Sequence, residues 1–353
     1  MRRVVLVTGV SRLLGDQLAR ALAADERVRQ VIGVDVVAPR DAQPGVEFVR
    51  ADIRNPVIAR VIGTARVDTV VHTSVIAAPL SAGGRSSMKE MNVIGTMQLL
   101  AACQKAASLR RFVLKSSTAC YGASPRDPAL FTEESEPRSQ PSSGYAKDVV
   151  EIEGYVRGFA RRRPDVAVTV LRLANLIGPR VHSAFTRYFA LPVVPTVLGF
   201  DPRLQFLHED DAVEVLRRAA LGDHVGAYNV AGPGVLMLSQ ALRRAGRPAA
   251  PIPPPAAAWV ARALRGAGVA DFTTEQVRLL TYGRVVDLGR LREQLGWVPR
   301  WSTRAAFDDY VRHAGLPGPQ GADRAVTAVG ELLEGLARRV GAGPLAGLAG
   351  RRG

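Results

Sequence analysis

The chain has 353 residues, of which 47% are hydrophobic and 22% charged, a composition that excludes an intrinsically disordered protein. Its formal net charge of +15 comes mainly from arginine, with only four lysines, and no basic run is interleaved with aromatic residues. We therefore predict no nucleic-acid partner, and the lack of a long uninterrupted apolar stretch predicts no membrane association.

Short apolar runs alternate with helical patterns through the first half of the sequence. In chain order, the runs that predict strands are 4–7, 31–34, 46–49, 69–71, 112–114 and 166–173, and the helical patterns cover 14–23, 54–63, 86–106 and 143–162. Continuously apolar strands that alternate with helices indicate a parallel sheet covered on both faces. We predict an α/β fold, with a Rossmann-type doubly wound parallel sheet that forms an NAD(P)-binding domain over residues 1–180.

The pattern changes after residue 180. Prolines separate short elements over 181–315, which we predict to be a smaller substrate-binding domain interleaved with the first. Residues 316–353 form a tail rich in Gly, Ala and Arg, with one candidate helix at 322–340. The two cysteines have neither a disulfide framework nor the spacing of metal ligands, so we predict a reducing, cytoplasmic location and no metal site.

A glycine turn follows the first predicted strand and precedes a helix. Such a turn places backbone N–H groups and the helix N-terminus against a pyrophosphate. The residues assigned to it are Gly9, Ser11, Arg12, Leu13, Leu14 and Gly15. Asp35 ends the second predicted strand, where a carboxylate accepts hydrogen bonds from ribose hydroxyls and repels a 2′-phosphate. This favours NAD as the cofactor, while the cationic Arg12 leaves NADP open.

Several further motifs occur in the order typical of one family. They are Asp52-Ile53 after the third strand, His72 in the fourth, Asn92 and Gly95-Thr96 in a helix, Ser117 with Tyr121-Gly122 after the fifth strand, Asn175 near Gly178-Pro179, and Phe206 to Asp211. With them, the chain resembles extended short-chain dehydrogenases/reductases of the NAD-dependent epimerase/dehydratase family, the group that includes UDP-glucose 4-epimerase. The resemblance implies that Asp52, Ile53, His72 and Asn92 belong to the cofactor site.

The resemblance also implies a catalytic Ser or Thr, a Tyr, and a Lys four residues after the Tyr. Ser117 has the family's spacing, with Thr118 beside it as a second candidate. Lys147, followed by Glu151, resembles the family's lysine, which would also contact the cofactor. That register puts Ser143 at the tyrosine position, whereas Tyr145 is only two residues from Lys147 and points about 200° away from it on a helix.

Without a tyrosine in that register, three interpretations remain open. The protein is a redox enzyme in which Tyr145, Tyr121, His182 or the substrate moves the proton; or it reduces a substrate that takes its proton from water; or it binds a dinucleotide without turnover, as a sensor or scaffold. By resemblance, Asn175 and Arg203 join Ser117 and Thr118 as substrate-binding candidates. The same resemblance implies a small-molecule substrate such as a nucleotide sugar, and a homodimer.

Overall fold

The structure, a computed structural model, describes residues 2–77, 83–136, 141, 144–266 and 273–319. In chain order, its strands are β1 (Arg3–Thr8), β2 (Val28–Asp35), β3 (Val46–Arg50), β4 (Thr69–His72), β5 (Arg111–Ser117), β6 (Ala167–Leu173), β7 (Asn175–Ile177), β8 (Val194–Val197), β9 (Arg203–Leu204), β10 (Phe206–His208), β11 (Gly226–Val230), β12 (Leu236–Met237) and β13 (Ala249–Ile252). The strands predicted from the apolar runs are all present.

The helices are α1 (Leu13–Ala23), α2 (Val57–Thr64), α3 (Arg85–Lys89), α4 (Gly95–Lys105), α5 (Gly144–Arg162), α6 (Ala184–Ala190), α7 (Glu209–Leu221), α8 (Leu238–Ala245), α9 (Pro254–Gly266), α10 (Thr274–Tyr282), α11 (Gly289–Glu293) and α12 (Thr303–His313). A π-helical turn, Glu90–Ile94, joins α3 to α4, so the helix predicted over 86–106 is present with one widened turn. Within the described residues, no helix combines the length and the apolar character needed to cross a membrane.

A parallel sheet of seven strands forms the centre of the described part of the chain. Its strand order is β11-β6-β5-β4-β1-β2-β3, and all neighbouring strands run in the same direction. The order reverses at β1, which lies between β2 and β4. In doubly wound sheets, ligands bind at such a switch point, beyond the carboxyl ends of the strands. The predicted fold class is confirmed, and the site is expected at the residues that follow β1 and β4.

Helices cover both faces of this sheet, which explains why its central strands are apolar throughout. Val5 and Val7 of β1 pack with apolar side chains of α1 and α7, and Val4 and Leu6 pack on the other face with those of α2, α4 and α5. Two-sided burial removes the alternation of polar and apolar residues that a half-exposed strand would show.

The later part of the chain contributes to the sheet as well as to a smaller region beside it. Strand β11 pairs with β6 along the sheet's edge, and α7 packs against α1. A separate apolar core, with Phe189, Phe206 and Phe307 at its centre, holds the smaller region together. The candidate helix at 322–340 lies outside the described residues.

Candidate functional site

The turn after β1 has the geometry of a phosphate cradle. Gly9 has φ of 80°, and a Cβ on it would lie 3.0 Å from the backbone of Ser74. A Cβ on Gly15 would lie 2.1 Å from the Gly9 carbonyl oxygen, so the turn and α1 approach closely only with glycine there. The N-cap residue of α1, Arg12, makes no side-chain capping hydrogen bond, so the N-terminus of this helix is open to an anion. The residues present fit a dinucleotide pyrophosphate.

Asp35 connects the end of β2 to this turn. Its Oδ2 accepts hydrogen bonds from the backbone N–H of Ser11, at 3.1 Å, and from the Ser11 hydroxyl, while Oδ1 accepts from the N–H of Val36 at 2.8 Å. The carboxylate therefore lies at the same edge of the sheet as the glycine turn, where the sequence predicted a ribose acceptor. Further along this edge, Arg54 pairs with Asp52 at 2.6 Å and lowers the pKa of that carboxyl.

Three other predicted cofactor residues hold the framework of the site. Ile53 packs under Gly95, where a Cβ would come within 2.9 Å of it. The buried His72 hydrogen-bonds Thr8 at 2.8 Å and Thr96 at 2.9 Å, and burial lowers its pKa to about 3, so it is uncharged at neutral pH.

Asn92 has a framework role too, because it binds both backbone groups of Ile76. Its Oδ1 accepts from the Ile76 N–H at 2.8 Å, and its Nδ2 donates to the Ile76 carbonyl at 2.9 Å. These bonds fix the segment that follows β4 and lines one wall of the cavity described next.

A cavity of about 560 Å³ lies beyond the carboxyl ends of the strands, between the sheet and the smaller region. Of the residues predicted for the site, those that line it are Arg12, Leu13, Leu14, Gly15, Ser117, Tyr145 and Asn175. Two of the four substrate-binding candidates lie elsewhere. Arg203 is exposed on β9, and Thr118 is buried in the 3₁₀ turn Thr118–Tyr121. Ser143 lies outside the described residues.

Ser117 and Tyr145 meet in this cavity. Ser117 ends β5, and its Oγ accepts a hydrogen bond from the N–H of Ala119 at 3.1 Å. Tyr145 lies in the first turn of α5, and its side chain lines the cavity together with Ser117. Burial raises the pKa of Tyr145, and the nearby Ser117 hydroxyl and the charge of Arg284 only partly oppose this shift. The phenol is therefore protonated at neutral pH.

Lys147 does not share this cavity. Its side chain is 44% exposed, and its ammonium lies 3.8 Å from Glu151 on the outer face of α5. Counting from Tyr145 instead, the fourth residue is the buried Val149 and the eighth is Glu153. Glu153 accepts from the Ser116 hydroxyl at 2.6 Å and pairs with Arg172 at 2.8 Å. The tyrosine beside Ser117 thus belongs to a register shifted by two residues from the one inferred from Lys147.

A second glutamate was the signal that could have revealed this shift. Glu151 lies eight residues after position 143, and Glu153 lies eight residues after Tyr145, so both registers end in a carboxylate. The lysine alone favoured the first register. Burial favours the register that starts at Tyr145, because Glu153 has its partners inside the protein whereas Glu151 lies beside an exposed lysine.

Tyr121 is buried and is not among the residues that line the cavity. Its hydroxyl donates to Asn229 Oδ1 at 2.8 Å and accepts from Arg172 at 2.7 Å, and burial raises its pKa. These bonds give Tyr121 a structural role. His182, the other candidate proton carrier, is exposed at the rim of the cavity.

The charged residues of the cavity that sequence reasoning missed include Lys115, Arg284 and Glu275. Lys115 Nζ donates to the Val75 carbonyl at 2.7 Å, and burial together with Arg12 lowers its pKa to about 8. Arg284 donates to the Gly122 carbonyl at 2.8 Å, and Glu275 accepts from the N–H of Ala146 at 3.2 Å. Of the three, Lys115 alone had a sequence signal: it is two residues before Ser117 on a strand, and therefore on the same face.

The sheet, its glycine turn and the cavity at its switch point define a Rossmann-type protein with a smaller region beside the sheet. The chain belongs to the NAD dependent epimerase/dehydratase family, whose model matches residues 5–231. It is 51% identical over 320 residues to an uncharacterized protein of Mycobacterium tuberculosis, covering 89% of this chain and 85% of that protein.

Two further comparisons connect the chain to proteins with names. It is 29% identical over 331 residues to sterol demethylase protein B of Methylococcus capsulatus, covering 87% of this chain and 96% of that protein. Its fold is similar to that of the dTDP-glucose 4,6-dehydratase DesIV of Streptomyces venezuelae, crystallised with NAD. The TM-score is 0.67 at 23% identity, and the match covers 88% of this chain and 97% of that one.

Proposed function

We propose that the protein is an NAD-dependent oxidoreductase of the epimerase/dehydratase type, which acts by hydride transfer on a nucleotide sugar or a related small molecule. The observation that carries this proposal is the Ser117–Tyr145 pair in a cavity that also contains the phosphate turn. In this proposal Tyr145, rather than Ser143, is the proton carrier. The residue that departs from the family pattern is then Val149, which stands in the place of the lysine.

The cofactor would be held by the turn from Gly9 to Gly15, with Asp35 accepting hydrogen bonds from the adenine-side ribose. A carboxylate at the end of β2 favours NAD over NADP, because it would repel a 2′-phosphate. When bound, the nicotinamide ring supplies the acceptor or donor of the hydride. Asn92 and His72 serve the cofactor indirectly, by fixing the strand ends and the loop against which it would lie.

In this proposal, Ser117 and Tyr145 carry out the proton transfer. The Ser117 hydroxyl would hold the reacting oxygen of the substrate, and the Tyr145 phenol would give or take its proton. The phenol is protonated at neutral pH, so the free site holds the proton that reduction of a carbonyl group requires. The nearby positive charge of Arg284 stabilises the phenolate that forms when the proton leaves.

Two substrate classes are consistent with this site. Asn175 lines the cavity, which supports the nucleotide sugar. Arg203, the residue implied as a phosphate contact, is exposed on β9 and does not line it. That observation, with the likeness to sterol demethylase protein B over 96% of its length, favours an apolar alcohol or ketone such as a sterol as the second candidate.

The oligomeric state and the cellular location are proposals as well. Helices α4 and α5 and the π-helical turn before α4 carry exposed apolar side chains, namely Ile94, Met97 and Tyr155. We propose a homodimer through these helices, in the cytoplasm.

A ligand-dependent thermal shift tests the cofactor, with NAD⁺, NADH, NADP⁺ and NADPH compared on the parent and on Gly15→Ala. A ligand that binds only the folded state raises Tm. NAD⁺ and NADH should stabilise the parent, whereas Gly15→Ala, whose Cβ has no room, should show a smaller shift. Absence of a shift with all four dinucleotides would contradict the cofactor proposal.

Turnover is tested separately, by following the nicotinamide absorbance with UDP-glucose, dTDP-glucose or a sterol alcohol as substrate. Hydride transfer to bound NAD⁺ with one of them identifies the substrate class. Dinucleotide binding without transfer from any of them favours the remaining alternative, a non-catalytic sensor or scaffold.

A further inference from the structure

Lys115 is a cation at a position that neither the motifs nor the catalytic pair explains. It lies on β5 two residues before Ser117, so the two side chains emerge on the same face of the sheet. Both line the cavity. A lysine in the middle of a strand near the core is uncommon unless its charge has a partner.

The hydrogen bond seen in the structure uses only one of the N–H donors of the Lys115 ammonium. Its Nζ donates to the Val75 carbonyl at 2.7 Å. An ammonium carries three N–H donors, so two have no acceptor in the part of the chain that the structure describes. The neighbouring cation is Arg12, at the N-terminus of α1. This arrangement calls for an oxygen-rich ligand in the cavity.

The place of Lys115 in the sheet indicates which part of a dinucleotide it would meet. Asp35 ends β2, on one side of the glycine turn, whereas Lys115 is on β5, on the other side of β1 beyond β4. With the pyrophosphate at the turn and the adenine half toward Asp35, the other half of the cofactor extends over β4 and β5. There it also comes near the Ser117–Tyr145 pair.

We propose that Lys115 binds the ribose of the nicotinamide half of the cofactor, and so provides from strand β5 the cation that Val149 cannot provide from α5. This inference rests on the proposed function, because it requires that the cavity bind a dinucleotide. It assigns a binding role to the strand lysine and none to Lys147, whose ammonium lies beside Glu151 outside the cavity.

The test measures the affinities of NAD⁺, ADP-ribose and AMP by titration calorimetry for the parent and for Lys115→Met. ADP-ribose retains the ribose in question, and AMP lacks it. Loss of a charge-assisted hydrogen bond should weaken NAD⁺ and ADP-ribose by about tenfold or more, with AMP affinity unchanged. Lys115→Arg, which keeps the charge, should recover most of the loss.

Lys105→Met, on the exposed end of α4, is the matched control and should bind all three ligands like the parent. If Lys115→Met does not fold, as judged by its melting curve, Lys115→Gln replaces it and should show the same selective loss. Parent-like binding of ADP-ribose by a folded variant overturns the inference, and so does an equal loss for AMP, which would mark a purely structural role. A parent that binds none of the three ligands contradicts the proposed function instead.

Discussion

At the scale of single residues, the surroundings of a side chain on α5 indicate its role better than its position in the sequence does. Tyr145 and Lys147 are two residues apart in α5, and only the first faces Ser117. The tyrosine lies beside the end of β5, while the lysine lies in water beside Glu151. These surroundings are the reason for proposing a chemical role for Tyr145, even though the residue four positions later is Val149.

Replacing Tyr145 and Tyr121 in turn by phenylalanine should separate chemistry from stability. Tyr145→Phe should lower kcat by about a hundredfold or more with little change in dinucleotide affinity, because only the proton carrier is removed. Tyr121→Phe removes a hydroxyl that bonds Asn229 and Arg172, so it should cost about 1–3 kcal/mol of unfolding free energy and leave kcat less affected. Steady-state kinetics and urea unfolding measure these effects, and full activity of Tyr145→Phe would rule out the proposed carrier.

The buried His72 should make the protein less stable in acid. Its pKa is about 3 in the folded chain against 6.5 when exposed, so between these values the unfolded chain binds a proton that the folded chain does not. Stability should therefore be unaffected by this group above pH 6.5 and should fall as the pH decreases below it. Denaturant unfolding across this range should show a slope smaller by about one proton in His72→Gln than in the parent. Equal slopes would disprove the assignment.

At the scale of elements, α5 is the helix that brings the two parts of the site together. Its first turn is held from the smaller region by Glu275 of α10, which accepts from the N–H of Ala146. Its middle is held to the sheet by the pair of Glu153 with Arg172 on β6. These two attachments fix where Tyr145 lies relative to β5.

Two glycines of α5 provide a matched pair of substitutions. Gly144 has φ of 70°, and a Cβ there would lie 2.2 Å from a Glu275 carboxylate oxygen. Gly144→Ala should therefore lower stability by about 1–2 kcal/mol or more and also lower activity, because Tyr145 is the next residue. Gly154 is inside the helix, where the nearest atom to an added Cβ is the Arg157 guanidinium at an ordinary 3.9 Å, so Gly154→Ala should stabilise by about 0.5–1 kcal/mol. Thermal unfolding of both variants distinguishes the two cases, and a stable, active Gly144→Ala would show that the turn is not constrained.

At the scale of the whole molecule, the later part of the chain completes the apolar core on one face of the sheet. That core contains Val5 and Leu18 from the start of the chain, Leu216 from α7, Leu291 from α11 and Trp297 from the segment after it. A boundary at residue 180 therefore divides the sequence but does not divide this apolar core. The cavity lies where the two regions meet, and residues of both line it.

A fragment of residues 1–180 should not fold cooperatively by itself. It lacks β11, which pairs with β6, and α7, which covers the face of the sheet beside α1. The exposed apolar face should make the fragment aggregate, whereas the full chain should unfold in a single transition. Calorimetry and near-UV circular dichroism on both proteins measure this, and a cooperative transition in the fragment would show that 1–180 is an independent domain.

The sequence by itself determined the parallel sheet and the glycine turn. Continuous apolar strands, the glycines Gly9 and Gly15 around the start of the first helix, and an acid at the end of β2 each depend on local patterning. Only the tertiary structure decided which tyrosine meets Ser117, which lysine enters the cavity and what surrounds His72. Successive residues of a helix point in different directions. Which of them is buried depends on packing against distant strands and on Glu275, and no local pattern specifies these contacts.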